Sequence, residues 1–175
     1  GRDAINGAGA NSALGVTLQN CSINHSNNSS IVLNSNFEGA VIQSNNIKNT
    51  AWKQGMSAMN AFGIDAKGKN TLVSYNSLDS SAYIGIQYFG DGTTISNNFI
   101  TNFDVYLTDG GGIYTWNGWG GAVKSNLKVL NNIIINRHTD IGDVGIYLDD
   151  WSNNIEVTGN SVAGCGSGMS AGNAF

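Results

Sequence analysis

The side chains best suited to chemistry are concentrated in two short segments that combine aspartates with aromatic residues. The first segment reads Asp109-Gly-Gly-Gly-Ile-Tyr-Thr-Trp116, and the second reads Asp143-Val-Gly-Ile-Tyr-Leu-Asp-Asp-Trp151. Two carboxyl groups can cleave a glycosidic bond, one as proton donor and the other as nucleophile or base, when they lie about 5–5.5 Å or about 6.5–9.5 Å apart. The sequence therefore holds the groups for acid–base chemistry, provided that the fold brings the two segments together.

The elements that must position these segments are visible as a repeat. Six segments align without gaps: Leu18–Ile23, Ile42–Ile47, Val73–Leu78, Ile95–Ile100, Val129–Ile134 and Val157–Val162. Their first and sixth positions are always aliphatic. Their fourth positions, spaced 22 to 34 residues apart, are Cys21, Asn45, Asn76, Asn98, Asn132 and Asn160. A second column lies between them and consists of Gly63-Ile64, Gly85-Ile86, Gly112-Ile113, Gly145-Ile146 and Gly168-Met169, with Ser30-Ile31 as its first member.

Short strands at such intervals are typical of a solenoid in which every coil adds one strand to each of several parallel sheets. Coils would lie about 4.8 Å apart, so the asparagines of successive coils could form a continuous amide ladder. A β-sandwich or propeller would instead require regular hairpin turns, which the sequence lacks. We therefore predict an all-β fold, a right-handed parallel β-helix (solenoid) of about six coils, forming a single domain over residues 1–175.

Side chains alternate between the two faces of a strand, so the repeat also sorts the outward residues. One predicted outward column is Asp65, Gln87, Tyr114, Tyr147 and Ser170, and the neighbouring column is Lys67, Phe89, Trp116, Asp149 and Gly172. Aromatic rings stack on sugar rings, and carboxylates and amides bind hydroxyl groups. The two columns predict a groove for a linear polysaccharide or oligosaccharide. The alternative is that these aromatic residues only pack beneath the long insertions at 50–61, 101–111 and 136–144.

From about Gly15 onwards, the repeat resembles that of secreted carbohydrate-active β-helix enzymes: polysaccharide lyases, certain glycoside hydrolases and mannuronan epimerases. The stretch Gly145-Ile-Tyr-Leu-Asp-Asp-Trp151 is similar to the Gly-Ile-Trp-Leu-Asp-Trp stretch of a family of β-helix xylosidases. This resemblance implies that Asp149 is a nucleophile. That family carries its acid, a Glu, on the following coil, where this chain reads Met169-Ser-Ala-Gly-Asn173.

Another carboxyl group must therefore act as the acid beside Asp149. Asp65 would lie three coils away, roughly 14 Å along the stack, and is too distant. Asp109 and Asp143 enter the same sheet at or next to the coil of Asp149, and we expect one of them to be the partner. We expect Asp150 to bind substrate, although Asp149 and Asp150 could instead form a turn that only binds backbone amides.

Two other functions fit the sequence. A lyase or epimerase acting on a uronate polymer would use basic residues such as Lys67, Arg137 and His138 to neutralise the substrate carboxylate. Asp140, Asp143, Asp149 and Asp150 could then hold Ca²⁺. For a hydrolase we expect no metal and no other cofactor. The third reading is a non-catalytic, glycan-binding or structural segment of a solenoid.

The overall composition limits the partners. The net charge of −4, with only eight basic residues, argues against nucleic acid and favours a neutral sugar over a uronate polymer. No apolar run approaches the roughly 20 residues of a membrane span. Cys21 and Cys165 belong to opposite ends of the stack and should remain unpaired. The chain shows no capping helix, which predicts end-to-end self-association or a longer parent protein, and we expect a secreted or extracytoplasmic location.

Overall fold

The structure is a computed structural model that describes residues 3–7, 11–55, 61–118, 121–136 and 143–171. The described residues form strands and turns without a helix, so none of them belongs to a helix that could cross a membrane. Every strand pair is parallel, and strands that are neighbours in a sheet come from successive coils. The predicted right-handed parallel β-helix is therefore correct.

Three sheets run along the stack. Sheet 1 contains the strands Ile5–Gly7, Ile31–Leu33, Ile64–Ala66, Ile86–Tyr88, Gly111–Thr115, Val144–Leu148 and Ser167–Ala171. Sheet 2 contains Thr17–Gln19, Val41–Gln43, Leu72–Ser74, Thr94–Ser96, Leu127–Leu130 and Ile155–Thr158. Sheet 3 contains Ser22–Ser26, Asn46–Thr50, Ser77–Ser81, Phe99–Thr101, Ile133–Ile135 and Ser161–Ala163. A small fourth sheet pairs Ala13–Leu14 with Phe37–Glu38. The strand Ile5–Gly7, which the repeat did not reveal, precedes the predicted first member of sheet 1.

The turn between sheets 2 and 3 explains the asparagine column. The residue before each ladder position has a left-handed backbone with φ between 54° and 71°, and these residues are Asn20, Ser44, Tyr75, Asn97, Asn131 and Gly159. Inside the turn, the amide oxygen of Asn98 accepts hydrogen bonds from the backbone N–H and the side-chain amide of Asn76. Asn98 in turn donates to the amide oxygen of Asn132 and to the Val73 carbonyl. The ladder thus satisfies the buried polar groups of each turn with the next coil.

The glycine column has a different cause. A Cβ atom on Gly85 would lie 2.5 Å from the carbonyl oxygen of Gly112, and one on Gly63 would lie 2.6 Å from the carbonyl oxygen of Gly85. Only glycine allows the coils to approach this closely, and the isoleucine that follows each glycine is then in register with its counterpart above and below. Ile64, Ile86 and Ile113 are completely buried in this row. Such burial of apolar side chains is the main source of stability.

The two cysteines are free, as predicted. Cys21 occupies the first ladder position, where its backbone N–H donates to the amide oxygen of Asn45. Its thiol cannot provide the amide contacts that an asparagine gives to the next coil, so the first coil lacks one step of the ladder.

Candidate functional site

Sheet 1 brings the predicted outward columns into register, but Asp65 and Gln87 are buried rather than open to solvent. Its register pairs Asp65 with Gln87, Gln87 with Tyr114, Tyr114 with Tyr147, and Tyr147 with Ser170. In the neighbouring column, Asp149 follows the last strand residue Leu148, and its backbone N–H donates to the Thr115 carbonyl. This pairing places Asp149 one coil beyond Trp116. Gly172 lies outside the described residues.

A groove of about 530 Å³ runs along the outer face of sheet 1, and its lining residues are Lys67, Gln87, Phe89, Trp116, Asn117 and Gly118. Trp116 is 38% exposed, so part of its surface is accessible to solvent. A second hollow of about 210 Å³ shares Lys67 and reaches Asn6, in the first strand of the sheet. Together the two hollows span most of the coils of sheet 1.

Lys67 is held at the junction of the two hollows by buried polar residues. Its ammonium group lies 3.1 Å from a carboxylate oxygen of Asp65, whose other oxygen accepts a hydrogen bond from the side-chain amide of Gln87. Burial raises the pKa of Asp65, and the hydrogen bonds and charge of Gln87 and Lys67 oppose that effect. The groove floor therefore carries a fixed, partly exposed ammonium donor.

Asp149 does not line this groove, but it lies one coil beyond Trp116 and is firmly oriented. The Tyr114 hydroxyl donates to one carboxylate oxygen over 2.7 Å, and the backbone N–H of Asp150 donates to the other over 2.7 Å. Hydrogen bonds to an ionised group are shorter and stronger than those between neutral groups. The bond from the Asp150 backbone shows that Asp149 and Asp150 do form the strand-end turn that the sequence offered as an alternative. The second carboxylate oxygen of Asp149 still faces Tyr114.

Two tyrosines, Tyr114 and Tyr147, lie next to this carboxylate. Tyr114 and Tyr147 pack perpendicular to each other with ring centres 5.4 Å apart. Desolvation raises the pKa of Tyr147 to about 12, assisted by the charges of Asp149, Asp109 and Asp150. Desolvation and the bond to Asp149 also raise the pKa of Tyr114. These phenols remain protonated at neutral pH, so they serve as hydrogen-bond donors.

Asp143 cannot be the partner of Asp149, contrary to one of our expectations. Asp143 precedes the strand Val144–Leu148 and Asp149 follows it, so six residues of extended chain place their Cα atoms about 20 Å apart. Asp143 is also 1% exposed and accepts a hydrogen bond from the side-chain amide of Asn136. Its position indicates a structural role at the start of the strand.

Asp109 also lies at the starting end of a sheet 1 strand, Gly111–Thr115, so its Cα is about as far from Asp149 as that of Asp143, but Asp109 is not buried. It is exposed on the insertion at 101–111, and its carbonyl accepts a hydrogen bond of 2.7 Å from the Tyr83 hydroxyl. Desolvation raises the pKa of Tyr83 to about 12, and the charges of Asp109, Asp104 and Asp149 add to the effect. The charges of Asp109 and Asp149 thus both act on Tyr83 and Tyr147.

The sequence reasoning missed Tyr83 and gave no role to Asp104. Asp104 is 6% exposed, and neither of its carboxyl oxygens has a hydrogen-bond partner within the described part of the chain. Burial, with smaller contributions from the charges of Asp143 and Asp109, raises the pKa of Asp104 to about 8. Asp104 therefore carries a proton at neutral pH, directly behind Gly110. No periodic signal marks either residue, because both lie in connections between sheets 3 and 1.

Several other predicted residues can be placed only in part. Asp150 lies at the turn beside Asp149, and its carbonyl accepts a hydrogen bond from the Asn117 backbone. Arg137, His138 and Asp140 lie outside the described residues. Among the residues that are described, no three His, Cys, Asp or Glu side chains converge as they would around a metal ion.

Comparison with known proteins identifies the architecture. Residues 3–174 match the family described as right handed beta helix region. No curated protein sequence is significantly similar to the chain. A solved structure, the catalytic unit of a thermostable GH87 α-1,3-glucanase from Streptomyces thermodiastaticus strain HF3-3, superposes with a TM-score of 0.66 and 18% sequence identity.

That superposition covers 86% of this chain but only 27% of the glucanase chain. At this level of identity the likeness establishes a shared fold, while the glucanase activity belongs to the other protein. The family match, however, extends over nearly the whole sequence and agrees with the register of all three sheets. This chain is a member of the right-handed β-helix family.

Proposed function

We propose that this chain is a carbohydrate-active protein that binds a neutral, linear glycan along sheet 1 and hydrolyses it at Asp149. The observation that carries the proposal is the position of Asp149, a carboxylate oriented by two hydrogen bonds and located one coil beyond Trp116, which lines an open groove together with Phe89. The likeness to a solved glucanase supports a glycan as the ligand.

Binding would rely on the aromatic rings and the fixed polar groups of the groove. Trp116 and Phe89 offer rings on neighbouring coils about 4.8 Å apart, a spacing comparable to the length of one sugar unit in a linear chain. Lys67 and Gln87 would donate hydrogen bonds to hydroxyl groups from the groove floor. The acidic net charge of −4 would disfavour a polymer of uronates.

In the proposed reaction Asp149 acts as nucleophile or as the base that activates water, and Asp109 acts as the acid. Tyr114 would keep the Asp149 carboxylate aligned, because a phenol whose pKa is raised remains a hydrogen-bond donor. Asp109 is exposed on an insertion, and its proposed role requires that this insertion move toward Asp149 when a glycan binds, because the strand Gly111–Thr115 separates the two residues.

The test is turnover of a panel of polysaccharides, including α-1,3-glucan, β-glucans, xylan and pectin, by the wild type and by Asp149→Asn. New reducing ends that disappear in Asp149→Asn, with glycan binding retained, are the expected result. Glu156→Gln is the matched control, since Glu156 is an exposed carboxylate on sheet 2. Hydrolysis that survives in Asp149→Asn would overturn the assignment.

The same panel separates the other readings. A lyase would produce an unsaturated, ultraviolet-absorbing sugar instead of a simple reducing end. Binding without turnover, abolished by Trp116→Ala, would support a glycan-binding module. Activity that is lost in Asp149→Asn but unchanged in Asp109→Asn would assign the acid to a residue other than Asp109.

A further inference from the structure

A second aromatic surface lies outside the groove, at the corner where the chain passes from sheet 3 to sheet 1. Trp52 and Tyr106 form this corner patch, and they are 38% and 44% exposed. Trp52 and Tyr106 belong to the two long insertions that follow the sheet 3 strands Asn46–Thr50 and Phe99–Thr101, and these insertions lie on different coils. The Tyr106 hydroxyl donates a hydrogen bond of 3.3 Å to the Trp52 carbonyl, which joins the two insertions.

The Trp52 indole is held in place while part of its surface remains accessible. The His25 ring lies perpendicular to it with ring centres 4.9 Å apart. The ammonium group of Lys53 lies 4.8 Å from the centre of the indole. Lys53 is itself exposed on a flexible stem, so a ligand that stacks on this face needs only to displace a solvated side chain.

Two clefts flank Tyr106, and each has a volume of about 180 Å³. One is lined by Ala51, Lys53, Gln54, Gly55, Ala61, Ala82, Tyr106 and Leu107. The other is lined by Asn49, Thr50, Trp52, Ser80, Ala82, Val105 and Tyr106. The corner patch therefore combines exposed rings with hydroxyl, amide and ammonium groups at the rim of small hollows.

The geometry points to a second glycan-binding site at the corner patch, which would hold a part of the polysaccharide chain away from Asp149. Stacked rings with nearby hydroxyl and amide groups are the combination that recognises the alternating apolar and polar faces of a sugar. Small, separate clefts suit individual sugar units rather than an extended peptide strand. The inference relies on the proposed function for the class of ligand, but it needs no catalysis.

A glycan bound at the corner patch would also remain near the groove of sheet 1. Tyr106 and Asp109 belong to the same insertion, and Leu107 and Tyr83 pack against the alanines beneath the patch. A polymer bound at the patch would be kept close to the groove, which raises its local concentration there. Short oligosaccharides that fill only the groove would gain nothing from this contact.

The experiment is affinity electrophoresis in native gels that contain one of four soluble neutral polysaccharides: laminarin, dextran, glycogen or xylan. Wild type, Trp52→Ala and Tyr106→Ala are compared with Tyr75→Ala as the matched control. Tyr75 is 61% exposed on the turn between sheets 2 and 3 and lines neither cleft. Thermal unfolding of each variant verifies that it is folded, and Trp52→Phe retains an aromatic ring if Trp52→Ala does not fold.

We expect the two patch variants to lose at least about fivefold in affinity for the polymer, while Tyr75→Ala and wild type migrate alike. Their activity on a short oligosaccharide should equal that of wild type. Unchanged retardation of the patch variants, or no retardation of wild type by any of the four polymers, would overturn the second site. Loss of polymer binding in Trp52→Ala together with full activity of Asp149→Asn would instead sustain the second site and refute the proposed function.

Discussion

Asp104 allows a quantitative test of the electrostatics behind the candidate site. Its carboxyl group is buried, its pKa is raised from 3.8 to about 8, and the replacement Asp104→Asn removes the titration. The folded protein retains a proton that the unfolded chain releases, so the stability due to Asp104 is fully present below about pH 3.8. It is lost as the pH rises through 8. Each pH unit in between removes about 1.4 kcal/mol, which amounts to about 3 kcal/mol between pH 5 and pH 7.

The assay is urea unfolding at pH 5, 6 and 7, with the free energy of unfolding of wild type compared with that of Asp104→Asn. The difference between the two proteins should change by about 3 kcal/mol over this range, because all other groups cancel. Asp79→Asn is the control. Desolvation raises the pKa of Asp79, but the hydrogen bonds from Asn102, Ser80 and Thr101 outweigh this effect and lower the pKa below its usual value. Its stabilising effect is therefore lost only as the pH falls below about 4, and nothing should change between pH 5 and pH 7.

Parallel curves for wild type and Asp104→Asn between pH 5 and pH 7 would refute the reasoning. They would mean that Asp104 is ionised in the folded protein. Asp109 would then have a negatively charged carboxylate in its neighbourhood rather than a neutral carboxyl group.

Three further predictions concern the site and its support. Tyr114→Phe removes a charge-assisted hydrogen bond to Asp149 that contributes about 1.5–3 kcal/mol. The kcat/KM on a glycan that wild type hydrolyses should therefore fall about 10- to 100-fold. An unchanged kcat/KM would exclude a role of Tyr114 in orienting Asp149. Asn98→Ala leaves buried donors and acceptors unpaired in two coils, so it should lower the free energy of unfolding in urea by about 3–5 kcal/mol. Asn160→Ala, at the more exposed end of the ladder, should lower it by about 1–2 kcal/mol. Equal losses in the two variants would contradict the burial argument. Gly110→Ala would force a methyl group onto the Asp104 carboxylate and the Tyr83 ring and should destabilise the protein by about 1–3 kcal/mol. The double variant with Asp104→Ala should recover only part of that loss in a double-mutant cycle, because the contact with Tyr83 remains, and full recovery would contradict the contact with Tyr83.

The repeated residues were sufficient to predict the sheets. The glycine before each sheet 1 isoleucine and the asparagine of each turn recur because each must contact its own equivalent in the next coil. Their columns in the sequence therefore coincide with the observed register, as for Ile64, Ile86 and Ile113. The groove aromatics followed from the same alternation, and Phe89 and Trp116 do line one groove.

The partners of Asp149 could not be predicted in the same way. Asp143 was expected on the correct coil, but the length of the intervening strand places it at the opposite edge of the sheet. Tyr83 and Asp104 lie in connections whose path depends on single residues with left-handed backbone, such as Asp104 and Asp109 themselves. Those conformations are stabilised by packing against other coils and leave no period in the sequence.

The sequence by itself determined the coil, its register and the outward columns, because a solenoid repeats one local solution and each coil specifies the next through identical contacts. The tertiary structure alone decided which carboxyl groups share an environment, that Tyr114 holds Asp149, that Asp104 is buried behind Gly110, and that Trp52 and Tyr106 meet at a corner. The physical reason is that these contacts join irregular insertions of different coils. Their geometry is set by burial and hydrogen bonding across the stack rather than by any spacing along the chain.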